Sequence, residues 1–130
     1  MKRIKITYLI YLALFLFSNV ESRAAVKVAC VGDSITQGLD LGKLTYPIKL
    51  GQMLGEEYEV KNFGLGGRTL LKEGDYPYAN SSIYKETLNW EPDIVIIKLG
   101  TNDSKPNNWN PYGEHFVSDY DSLIKSYQNL

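Results

Sequence analysis

The segment Asp93-Ile94-Val95-Ile96-Ile97-Lys98-Leu99 constrains the fold more than any other part of this chain. It is almost unbroken β-branched and apolar sequence, without the polar alternation of a strand that faces water on one side. Such a run predicts a parallel strand covered on both faces, and a parallel strand reaches its neighbour only through a crossover, usually a helix. The remaining sequence supplies those parts. Val26-Lys27-Val28-Ala29-Cys30-Val31 reads as a short strand ending at Gly32, and Tyr58 to Asn62 as a second. Between them Tyr46, Leu50, Met53 and Leu54 recur at helical spacing, with Pro47 in the first turn and Gly55 near the end. A short helix is expected from Ser81 to Trp90, and Phe116, Val117, Tyr120, Leu123, Ile124 and Tyr127 mark one face of a last helix. The order β-α-β-α-β-α implies an α/β fold with a parallel sheet between helices, whose ligands bind beyond the carboxyl ends of the strands.

The first two dozen residues stand outside that pattern. Lys2, Arg3 and Lys5 precede the apolar run Tyr8 to Phe17 and a polar stretch, which reads as a secretory signal. Cleavage after Ala24 leaves the small residues Ser22 and Ala24 at the inspected positions, so the expected organisation is a signal peptide over 1–24 and one domain over 25–130. An apolar run of about ten residues is too short for a bilayer that needs about twenty, so export to the periplasm or medium is expected without stable membrane insertion. Removing 1–24 takes away four basic residues and one acidic one, leaving 10 basic against 14 acidic side chains and a net charge of −4. That balance argues against nucleic acid as a partner. The single cysteine, Cys30, lies inside the first apolar strand and reads as core packing. No cluster of His, Cys and carboxylates has ligand spacing, so neither a metal nor an organic cofactor is expected.

The unusual residues fall in the three loops that follow the three strands: Gly32-Asp33-Ser34-Ile35-Thr36, Asn62-Phe63-Gly64-Leu65-Gly66-Gly67-Arg68-Thr69, and Gly100-Thr101-Asn102-Asp103. Taken singly, each is an ordinary turn, helix cap or flexible loop. In this order and spacing they resemble the SGNH hydrolases, also called GDSL esterases and lipases. The resemblance implies a three-layer α/β/α, flavodoxin-like fold and an ester hydrolase. It assigns the nucleophile to Ser34, and oxyanion donors to the Ser34 backbone N–H, the Gly67 backbone N–H and the Asn102 side-chain amide. The chemistry fits these residue types: a serine at a strand tip exposes its hydroxyl, and a glycine lets backbone N–H groups approach the substrate closely.

A serine at its ordinary pKa needs an adjacent base. The resembled family supplies it from an Asp-x-x-His block, which this sequence does not contain. The only histidine, His115, falls on the polar face of the last helix with residues 119, 122 and 126, and is expected in solvent. The chain thus reads as an N-terminal fragment, inactive by itself, with an unpaired side on the strand Ile94 to Leu99. The loop sequences are most similar to exported sialate O-acetylesterases and related carbohydrate esterases, implying a small-molecule or glycan ester substrate. Tyr76, Tyr78, Trp109 and Tyr112 could stack on a sugar, and Arg68 could hold a carboxylate. The alternatives are a lysophospholipase or thioesterase-like acyl hydrolase and a non-catalytic, sugar-binding remnant of the fold. The oligomeric state is open at this stage.

Overall fold

The computed structural model describes residues 23–38 and 44–130. Most of the expected signal segment therefore lies outside the described residues. In chain order the elements are β1 (Val26–Gly32), α1 (Ser34–Gln37), α2 (Tyr46–Leu54), β2 (Tyr58–Gly64), α3 (Ser82–Trp90), β3 (Ile94–Lys98), α4 (Pro106–Tyr112) and α5 (Phe116–Gln128). Short 3-10 turns cover Tyr78–Asn80 and Gly113–His115.

The strands form a parallel sheet in the order β2-β1-β3. Register matters more to function than strand order. Gly32 pairs with Gly64 on one side and with Lys98 on the other, so the three strands end level and their loops emerge side by side. This is the crevice beyond the carboxyl ends where α/β sheets bind ligands.

The two faces of the sheet are covered unequally. Ala29, Val31, Phe63, Val95 and Ile97 point to a core completed by Leu70, Tyr78, Leu123 and Tyr127 from the loops and α5, with Tyr84 and Leu88 of α3 packed against it. Edge contacts among Tyr78, Tyr84 and Tyr127 lock that layer. The Tyr78 hydroxyl donates to the Phe63 carbonyl at 2.8 Å, and burial pushes this phenol up to about 12. On the other face Val28 and Cys30 are buried, and α2 lies over β2 with Gly51 set against Val60.

That second layer does not extend over β3. Ile94 and Ile96 are 44% and 36% exposed, so the strand expected to be covered on both faces is covered on one, and among the described residues it pairs with β1 alone. The helices show the same shortfall. Met53, expected on the inner face of α2, is 84% exposed, and the turn is anchored instead by buried Pro47. On α5, Phe116, Tyr120, Leu123 and Tyr127 face the core while Val117 faces solvent. Cys30 is fully buried, as its place in β1 predicted. Among the described residues no helix is long and apolar enough to cross a membrane.

Candidate active site

The loop after β1 is held by its own helix cap. Asp33 is fully buried at the N-cap of α1, where its Oδ1 accepts from the Ile35 N–H at 2.9 Å. Ser34 is therefore the first helical residue, partly exposed, and the helix closes after one turn when the Gly38 N–H donates to the Ser34 carbonyl at 2.8 Å. No described residue hydrogen-bonds the Ser34 hydroxyl. Beneath it, buried Thr36 has its Oγ1 at 3.5 Å from the Tyr46 hydroxyl. Burial pushes the Tyr46 phenol up to about 12 and raises the Cys30 thiol beside it. Both groups are thus neutral at ordinary pH.

The glycine-rich loop is fastened to that turn. Asn62 donates from Nδ2 to the Thr36 carbonyl at 2.8 Å and accepts the Gly64 N–H at 2.9 Å, so one side chain bridges the end of β2 and α1. The Leu65 N–H donates to the Gly32 carbonyl at 2.9 Å, and the Gly66 N–H to Gln37 Oε1 at 2.8 Å. Approach this close requires Gly64: a Cβ there would lie 2.2 Å from the Gln37 nitrogen. Gly67 has φ of 76°, the left-handed region that favours glycine, with open space where a Cβ would stand.

The loop after β3 completes the arrangement. Asn102 donates from Nδ2 to the Arg68 carbonyl at 3.0 Å, leaving its second amide hydrogen without a partner among the described residues. Asp103 is fully buried and accepts the Leu70 and Leu71 N–H groups at 3.0 and 2.7 Å, one on each oxygen. Asn108, at 1% exposure, donates from Nδ2 to the Asn102 carbonyl at 2.9 Å and to Asp75 Oδ1 at 3.0 Å, while its own Oδ1 accepts the Asp75 N–H at 2.9 Å.

Ser34, Gly67 and Asn102 thus sit on three level loops joined by hydrogen bonds, Gln37 linking the first to the second and the Arg68 carbonyl linking the second to the third. His115 is not among them. It stands at the head of α5, half-exposed and 3.7 Å from Glu114. The bracing roles of Gln37 and Asn108 were not legible in the sequence, since each is an ordinary helix residue until the loops meet, and Asp103 was legible as part of a motif but not as the clasp on Leu70 and Leu71.

Comparison with known proteins decides the family. The model of the GDSL-like Lipase/Acylhydrolase family matches residues 30–130, nearly the whole described chain. The chain belongs to the GDSL-like lipase/acylhydrolase family. It is 50% identical over 105 residues to a protein of Xylanibacter ruminicola named acetylxylan esterase, a match covering 78% of this chain and 22% of that protein. The chain therefore spans about a fifth of the length of this curated relative. A solved structure 24% identical superposes with a TM-score of 0.57 over 79% of this chain and 55% of its own, which supports the α/β fold. Membership of this family agrees with the parallel sheet and flanking helices described above.

Proposed function

We propose that the protein removes acetyl groups from a carbohydrate through an acetyl-enzyme on Ser34. What supports this reading is that three level loops, tied to one another by hydrogen bonds, carry a partly exposed serine at a helix N-terminus, a left-handed glycine and an amide with one hydrogen unpartnered among the described residues. In the first step Ser34 Oγ bonds to the acetyl carbonyl carbon, its proton passes through a base to the sugar oxygen, and the sugar departs as an alcohol. Water then attacks the acetyl-serine, releasing acetate and restoring the hydroxyl. In both steps the carbonyl oxygen becomes negative, and the Ser34 N–H, the Gly67 N–H and the second Asn102 amide hydrogen are the donors for it. The name of the X. ruminicola relative supports an acetylated plant polysaccharide as substrate. The loop sequences alone pointed to sialate esters, and both substrates share the acetyl–sugar bond. The segment 1–24 supports action outside the cytoplasm.

The test uses the full-length protein. Rapid acid quenching during hydrolysis of acetylated xylo-oligosaccharide should trap an acetyl group on the peptide containing Ser34, and Ser34→Ala should abolish both adduct and turnover. Turnover that persists in Ser34→Ala would sink the acetyl-enzyme reading. Wild-type turnover of long-chain acyl esters in preference to acetyl esters would sink the carbohydrate reading.

A further inference from the structure

Asn108 is a buried amide that its own helix does not need. It lies in the first turn of α4, where the backbone is already served: the Asn108 N–H donates to the Lys105 carbonyl at 2.9 Å. Its side chain is therefore left to work across the fold, and both amide hydrogens and the oxygen are engaged there. Nδ2 donates to the Asn102 carbonyl at 2.9 Å and to Asp75 Oδ1 at 3.0 Å, while Oδ1 accepts the Asp75 N–H at 2.9 Å. Burying an amide is costly unless its bonds are made, and a fully satisfied one fixes whatever it is bonded to.

These bonds close a ring around the proposed oxyanion amide. From Asn102 Nδ2 the ring passes to the Arg68 carbonyl at 3.0 Å, and along the chain to Thr69, whose N–H donates to the Tyr76 carbonyl at 3.0 Å. It steps back one residue to Asp75 and returns through the Asn108 side chain to the Asn102 carbonyl. Asn102 is thus held at two points, its carbonyl and its side-chain amide, by different segments of the chain. Two fixed points set the direction of its second amide hydrogen. The other hold on that carbonyl among the described residues is the Lys105 N–H, at 3.3 Å a weaker one. A donor stabilises a developing negative charge only when it is aimed beforehand, and a misplacement of about 1 Å can cost about a hundredfold in rate.

We infer that Asn108, with Asp75 as its partner, is a positioning residue for ester hydrolysis, acting on the reaction only through the Asn102 amide that it aims. The inference rests on the reading of Asn102 as an oxyanion donor. A buried amide also helps to hold the fold together, and a loss of stability would lower activity whatever residue stood at 102. A positioning role differs in one respect: its effect vanishes when Asn102 has no amide to aim.

The test is a double-mutant cycle in the full-length protein, with kcat and KM measured on acetylated xylo-oligosaccharide at a temperature where circular dichroism shows every variant folded. Asn102→Ala removes the donor and should lower kcat by about a hundredfold. Asn108→Ala should lower kcat by about tenfold and leave KM within about twofold, because the misdirected bond belongs to the transition state. In the Asn102→Ala background the same change should lower kcat by less than about twofold further. Asp75 is exposed, so Asp75→Ala releases one Asn108 hydrogen at little risk to folding. It should give a smaller loss of kcat with the same dependence on Asn102, and it decides the matter if Asn108→Ala does not fold. An unchanged kcat, or a loss of equal size with and without the Asn102 amide, would overturn the positioning role and leave the oxyanion reading standing. Full kcat in Asn102→Ala would overturn the oxyanion reading and the role of Asn108 with it.

Discussion

Asp103 places one carboxylate on two consecutive backbone N–H groups, and that bond pair fixes the glycine-rich loop to the loop carrying Asn102. Both oxygens are buried, so neither N–H can turn to water if the carboxylate is lost. Asp103→Asn presents an amide hydrogen to one donor, and the expected cost is about 2–3 kcal/mol, read as a lower midpoint in urea unfolding at unchanged slope. Hydrolysis should fall with it, since the Asn102 amide is aimed from the same turn. A second effect at this scale depends on pH. The Tyr78 phenol titrates near 12 in the folded chain and near the ordinary 10 when unfolded, so the folded state holds its proton more tightly. The contribution is intact below pH 10 and is lost as pH rises towards 12, by about 1.4 kcal/mol for each pH unit in that window. Thermal unfolding followed from pH 9 to 11.5 should show this decline, and Tyr78→Phe should make it shallower by this share, leaving the part that Tyr46 and Tyr127, also raised by burial, contribute.

At the scale of elements the alternation of strands and helices was legible because each element has a period or a punctuating residue: Pro47 inside the start of α2, and the apolar run of β3. Burial was less legible. An apolar residue records a capacity to be covered, and whether a layer reaches it depends on the sheet's width. Met53, Val117, Ile94 and Ile96 are exposed because the layers that would cover them do not extend that far. Likewise the three blocks Asp33-Ser34, Gly64 to Gly67 and Asn102-Asp103 were readable as motifs, but the braces Gln37 and Asn108 were not, because their partners are about thirty residues away in sequence. Gly64 shows how tightly β2 and α1 are joined. A methyl group there would overlap the Gln37 nitrogen at 2.2 Å and the Thr36 carbonyl carbon at 2.7 Å, both backbone atoms that cannot swing aside. Gly64→Ala should cost about 1–3 kcal/mol by forcing the two elements apart. It should also lower kcat more than a destabilisation of that size elsewhere, such as Tyr84→Ala in α3. Equal kcat in the two variants at a temperature where both are folded would show that the spacing of α1 and the glycine loop is unimportant.

At the scale of the whole chain, one side differs from the rest. Among the described residues β3 is paired on one side only, Ile94 and Ile96 lie exposed on its outer face, and Phe116, Val117, Tyr120 and Ile124 of α5 line an apolar groove of about 400 Å³. An open parallel edge offers unpaired N–H and C=O groups at the spacing a second strand needs, and the edge here is neither bulged nor broken by proline. Lys98 is the single charge in the strand, at its far end, too few to keep another copy from pairing. Joined edges would also cover the isoleucines, each worth roughly 1.5–3 kcal/mol when fully buried. The 130-residue chain should therefore associate when produced by itself: sedimentation should show species larger than a monomer at micromolar concentration, with bound 8-anilinonaphthalene sulfonate reporting the apolar groove. Ile96→Lys sets a charge in the middle of the outer face without touching the core layer of Val95 and Ile97, and should shift the population towards monomer. A chain that sediments as a monomer without binding the dye would mean that the edge and groove are covered within a single copy.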